Sequence, residues 1–143
     1  MTKNISRFAV EGGNGGVAPS VDIWLREAKT DSSASGCGMY LIHNGVVRQT
    51  ARAKVRLGEK TAKPVTGLLF SYDEEKVSAA AEKTYQMPGI CYIRVWLNSG
   101  KLSVGDDIMQ VLIGGDIRPH VVDALQALVE QIKSTCVTET ELF

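Results

Sequence analysis

The run Ile90–Leu97 constrains this chain most. Cys91, Ile93, Val95 and Leu97 alternate with Tyr92, Arg94 and Trp96. A period of two places successive side chains on opposite faces of an extended strand. A strand so defined needs neighbours, and the flanking segments supply them. Gly36 to His43 is a nearly continuous apolar run and reads as a strand buried on both faces. Val65 to Ser71 and Asp107 to Ile113 read as two more, and Asn98-Ser99-Gly100 as a turn. Three helices complete the pattern. Ser20 to Ala28 carries the stripe Val21, Trp24, Leu25 and Ala28 after a Pro19-Ser20 start. Ser71-Tyr72-Asp73-Glu74 resembles a capping box, ahead of a stripe of Val77, Ala80, Ala81 and Thr84 that ends near Met87-Pro88. The longest runs from Arg118 to Ser134, with Pro119 in its first turn and a core stripe of Val121, Leu125, Leu128 and Ile132. The order α-β-loop-β-α-β-β-α predicts an α+β sandwich, a mixed or antiparallel sheet with helices on one face.

The length suits one domain over residues 1–143. Residues 1–17 read as a flexible N-terminus, because Gly12, Gly13, Gly15 and Gly16 crowd its end. A phosphate-cradling loop would need a lysine and a helix at fixed offsets, and neither follows. Residues 135–143 read as a tail. Residues 46–63 form a basic loop holding Arg48, Arg52, Lys54, Arg56, Lys60 and Lys63 against the one acid Glu59. The whole chain has 16 basic and 16 acidic residues, so this loop of net +5 sits on a remainder of −5. That separation implies an anionic-ligand site, a docking surface for an acidic partner, or a solvated basic loop.

Several classes are disfavoured. A neutral chain whose basic loop lacks aromatic residues does not suit nucleic-acid binding. No apolar run approaches the ~20 residues that span a bilayer, and Met1 to Val10 lacks a signal-peptide layout, so a cytoplasmic location is expected. Cys37, Cys91 and Cys136 show no paired spacing. Cys37 and Cys91 therefore read as small core hydrophobes, with no redox pair and no metal site expected.

The candidate chemistry lies in cations. His43 ends a strand beside the basic loop, where it either lines an anion site or is a satisfied strand-end histidine. His120 reads as a surface residue, and the adjacent Asp106 and Asp107 diverge too much for a catalytic pair. Arg118 opens the last helix, whose free N–H groups favour anions. Lys133 closes it, either partly desolvated for acyl or proton transfer or simply matched to the helix dipole. Fifteen residues separate the two, about 22 Å of helix. One small ligand reaches both only if a second subunit supplies one of them.

Three motifs resemble the large, catalytic subunit of molybdopterin synthase, the MoaE family. Asn44-Gly45-Val46-Val47-Arg48 is similar to the family's Gly-x-Val-Arg segment. Gly100 to Ile108 resembles its turn Gly-x-Leu-x-x-Gly-Asp-acid-Ile. Arg118 and Lys133 reproduce the spacing of its pocket arginine and active-site lysine. The resemblance implies an α/β hammerhead fold and a homodimer, with no permanently bound cofactor. The implied reaction is sulfur transfer from the C-terminal thiocarboxylate of a small ubiquitin-like carrier with a Gly-Gly tail. The acceptor is cyclic pyranopterin monophosphate, and the product is molybdopterin. Lys133 would be catalytic, Arg48 a pocket arginine, and Arg118 the arginine given across the dimer. His43, Lys54, Lys60 and Lys63 would add substrate-binding charge. The chain departs from the family in two places. Ile117 stands where a histidine precedes the arginine, and Thr140 stands where a second lysine is expected. A relative that binds a ubiquitin-like partner or a phosphorylated ligand without turnover is the alternative.

Overall fold

A computed structural model describes residues 8–51 and 63–143. The strands are β1 (Phe8–Gly12), β2 (Met39–Val46), β3 (Gly67–Tyr72), β4 (Ile90–Leu97), β5 (Gly100–Ser103), β6 (Asp107–Gly115) and β7 (Val137–Leu142). The helices are α1 (Val21–Thr30), α2 (Glu74–Tyr85) and α3 (Arg118–Gln131). A 3₁₀ turn at Ser32–Gly36 follows α1, and a π-helical turn at Ile132–Cys136 extends α3.

The strands form two sheets. One has the order β1-β4-β6-β2 and the other β5-β3-β7. β1 runs parallel to β4, and the other pairings are antiparallel. The α+β class with a mixed sheet matches the expectation from sequence. The distribution of helices is richer than expected, because both faces of β4 carry apolar bulk. Ile93, Val95 and Leu97 join Met109, Val111 and Ile113 under α2 and α3. Trp96 and Leu112 pack instead on Trp24 and Ala28 of α1, on the opposite face. Arg94 closes that second layer over the Trp24 ring, 4.8 Å from its centroid, and pairs with Glu11 at 2.9 Å and with Glu27.

α1 begins at its Ser20 cap, and α2 begins at Asp73, whose side chain accepts from the Lys76 N–H. That shifts the α2 cap two residues beyond the Ser71 expected from the capping-box pattern. β2 lies at a sheet edge and is half-buried rather than covered on both faces. α3 keeps its stripe. Val121, Leu128 and Ile132 are fully buried, and each large aliphatic side chain so placed contributes roughly 1.5–3 kcal/mol.

The glycine-rich segment is a tied strap, not a flexible connector. β1 pairs with β4, and then Gly13 donates to the Leu97 carbonyl at 2.8 Å. Asn98 is fully buried and uses its whole amide here. Its Nδ2 donates to the carbonyls of Gly16 and Asp107, and its Oδ1 accepts from the N–H groups of Gly15 and Ser99. Buried Gln110 donates to the Pro19 carbonyl, and Ala18 donates to Asp107. The bonds made by the strap cannot be foreseen from glycine content, because their partners lie over eighty residues away.

Cys37 and Cys91 form a disulfide, which corrects the reading of two separate core thiols. Cys37 leads into β2 and Cys91 lies at an irregularity in β4, the two strands that flank β6. Gly114 of β6 lies beside the Cys37 sulfur and leaves the space through which the two meet. Cys136 is free and buried.

Candidate functional site

The basic segment departs from the core and returns to it. Val47, Ala51 and Val65 are buried. Val47 donates to the Asp106 carbonyl at 2.9 Å and accepts from the Gly105 N–H at 2.8 Å. Val65 donates to the Gln49 carbonyl at 2.7 Å, closing the neck of the loop. The turn that receives Val47 belongs to the Gly100–Ile108 motif. Gly100 and Gly105 take φ of 98° and 91°, left-handed values that a side chain resists. The two sequence motifs therefore meet, and one buttresses the other.

Beside this junction is a cavity of about 780 Å³, within the range of small-molecule sites. β2 and the neck give it His43, Val46, Val47 and Arg48. Leu125, Val129, Glu130 and Lys133 come from α3 and its terminal turn. Leu68, Glu139 and Glu141 come from the second sheet. His43 and Arg48, five residues apart, thus share one cavity with Lys133, which lies 85 residues beyond Arg48.

His43 sits on the same face of β2 as Leu41, opposite buried Val111. Its Nε2 is buried with no hydrogen-bond partner among the described residues. Burial, and then the nearby Lys133 charge, hold its pKa below the usual histidine value. An anion in the cavity would oppose both influences, because its charge favours the imidazolium. Arg48 is exposed, lines the cavity and donates through Nε to the Thr50 carbonyl at 3.0 Å. Lys133 lies in the π-helical turn and is exposed, so the partly desolvated lysine considered from sequence is not what the single chain presents.

The other candidates separate. Arg118 is at the first turn of α3, about four helical turns from Lys133, and does not line the cavity. Beside it, His120 Nδ1 lies 2.8 Å from Asp116 Oδ1, a contact that lowers the Asp116 pKa. Lys63 is exposed and outside the cavity lining. Lys54 and Lys60 lie outside the described residues.

The segment expected as a tail is a strand. Residues 137–142 form β7, paired with β3 in the register Phe70↔Glu139 and Leu68↔Glu141. Leu68 and Phe70 are buried, so Glu139 and Glu141 face inward and Thr138 and Thr140 face out. Thr140 is not a cavity position. The alternation Val-Thr-Glu-Thr-Glu-Leu was the available signal, and it required reading the tail as a strand.

Among the described residues, no group of three or more His, Cys, Asp or Glu could hold a metal ion. Among them too, no helix is long and apolar enough to cross a membrane.

The chain is an α+β fold with two sheets and a cation-bearing cavity beside the end of its last helix. Comparison with known proteins gives its family. A family profile described as MoaE protein matches residues 20–135. The chain belongs to the MoaE family, and that places it in molybdenum cofactor biosynthesis. No curated protein matches. Among solved structures, the chain is similar to molybdopterin synthase from Staphylococcus aureus, with a TM-score of 0.68 at 16% identity, covering 93% of this chain and 90% of that one. It is similar to the molybdopterin cofactor biosynthesis protein E from Burkholderia multivorans ATCC 17616, with a TM-score of 0.69 at 14% identity over 94% and 82%. A third is the complex of subunits 1 and 2 of the molybdopterin-converting factor from Helicobacter pylori 26695, with a TM-score of 0.65 at 15% identity over 92% and 83%. At these identities the likeness establishes the hammerhead-type fold.

Proposed function

We propose that the chain is the large subunit of a molybdopterin synthase. It transfers sulfur from the thiocarboxylate of a small ubiquitin-like carrier to cyclic pyranopterin monophosphate. The observation that carries this reading is the convergence of His43, Arg48 and Lys133 on one cavity. The substrate's phosphate and the carrier's carboxyl-ended tail both require cations, and fixed donors stabilise charge as it develops. Arg48 anchors an anionic group through its fork. Lys133, exposed in the cavity lining, moves protons or holds the developing negative charge when sulfur leaves the carrier. Each thiocarboxylate carries one sulfur, so the dithiolene consumes two carriers. No resident cofactor takes part. The small subunit of the Helicobacter pylori complex is the kind of partner this reading requires.

Arg118 enters through a second copy. It cannot reach the Lys133 cavity along its own helix, so a two-fold dimer would bring the partner's helix start to it.

The test is reconstitution with the thiocarboxylated carrier and cyclic pyranopterin monophosphate. Lys133→Ala should abolish dithiolene formation while carrier binding persists nearly unchanged. A wild-type protein inert with its cognate carrier would refute the enzyme reading. It would favour a relative that binds without turnover. One observation supports that second reading: Glu130, Glu139 and Glu141 line the cavity beside the cations.

A further inference from the structure

The cavity lining is chemically mixed, and the family resemblance accounts only for its cations. β2, the neck and the end of α3 give it Arg48, Lys133 and the His43 imidazole together with Glu130, and β7 gives it Glu139 and Glu141. Apolar side chains join them, among them Val47, Leu68 and Val129. The carboxylates are not incidental surface. Strand register turns both inward with buried Leu68 and Phe70, and both are half-buried. A ligand with an anionic end, flat apolar faces and an edge of N–H donors would match all three parts.

We propose that Glu139 and Glu141 are specificity residues that accept hydrogen bonds from the aminopyrimidinone edge of a pterin, with the phosphate turned toward Arg48 and Lys133. This rests on the pterin substrate of the reading above. The ring's 2-amino group and its N3–H are adjacent parallel donors, and a carboxylate accepts such a pair through both oxygens, as it does from guanidinium. A carboxylate offers about four acceptor directions, so a contact within the chain leaves room for the ligand. Two carboxylates on alternate residues let one grip the edge while the other sets the polarity of the wall. The pterin then enters in one orientation only, because the reverse would place phosphate against glutamate.

The test compares pterin with lumazine, which has a carbonyl in place of the 2-amino group. Fluorescence titration of the wild-type protein should show pterin bound at least roughly tenfold tighter, the scale of one charge-assisted pair. The double variant E139Q/E141Q should lose that preference and retain or improve its binding of inorganic pyrophosphate. Thr140→Gln, on the outer face between them, should keep the preference and controls for strand damage. Circular dichroism confirms that each variant is folded. Equal binding of pterin and lumazine by wild type, binding of neither, or a preference that survives in the double variant would overturn the proposal. Each outcome is independent of sulfur transfer. A protein without synthase activity that still loses its pterin preference with the glutamates would refute the enzyme reading and support this one.

Discussion

Asn98 provides the sharpest structural prediction. Its side chain is fully buried and makes four hydrogen bonds of 2.8–2.9 Å, all to backbone groups. They join the Gly15–Gly16 strap to the turn between β4 and β5 and to the start of β6. Asn98→Ala deletes all four. Gly15 and Gly16 are exposed, so water can replace the amide at those two groups. The Asp107 carbonyl and the Ser99 N–H are more enclosed, and each unsatisfied buried group costs about 1–3 kcal/mol. The expected loss is therefore about 2–4 kcal/mol, or roughly 6–12 °C in Tm for a chain of this size. Urea unfolding with an unchanged m-value is the assay. Asn98→Asp is the decisive partner. It keeps both acceptor bonds but turns an oxygen toward the Gly16 and Asp107 carbonyls, so it should destabilise at least as much as alanine. A loss under about 0.5 kcal/mol for Asn98→Ala, or a milder aspartate variant, would refute the strap as a buried, fully paired element.

Two other outcomes are expected. His43 is held neutral by burial and by Lys133, so its folded pKa lies below the unfolded value of 6.5. Its contribution to stability is complete above that pH. It is lost as pH falls toward the folded pKa, because the unfolded chain then binds a proton that the native state refuses. His43→Gln should flatten this part of the stability–pH curve, and an NMR titration of the His43 ring should give the folded pKa directly. Identical slopes below pH 6.5 in both proteins would contradict the assignment. In the second case, Thr140→Lys should leave pyrophosphate affinity unchanged, because Thr140 faces outward. Glu141→Lys should raise it severalfold, and isothermal titration separates the two.

The parts of the fold that sequence made legible are those whose signal is local. α1, the body of α2, α3, β4 and β6 all carry their periodicity within a dozen or so residues, and each is found close to where the pattern puts it. β1 and β7 were missed because their partners, not their composition, make them strands. Phe8–Gly12 runs into glycines, yet it completes a sheet beside β4. The disulfide escaped for the same reason, since 54 residues separate Cys37 from Cys91 and only sheet order brings them together. The cavity was half legible. Its cations could be picked from charge clustering and motif, whereas its acids required the register of a strand that was read as a tail.

That register bears on the departures from the family pattern. Counting seven residues from Lys133 lands on Thr140, which suggests that a pocket charge has been lost. The count assumes that the path from helix to strand keeps its parity. The π-helical turn at Ile132–Cys136 packs more residues into its turn than an α-helix does. It hands β7 on with Glu139 and Glu141 facing inward. Thr140 therefore faces away from the cavity and does not report on what it holds. Among the described residues, the cavity lining carries Arg48 and Lys133 together with Glu130, Glu139 and Glu141. Whether that mixture reduces turnover or orients the substrate depends on which end of the ligand meets each wall. The pterin–lumazine comparison and the Glu141→Lys titration address those two ends separately.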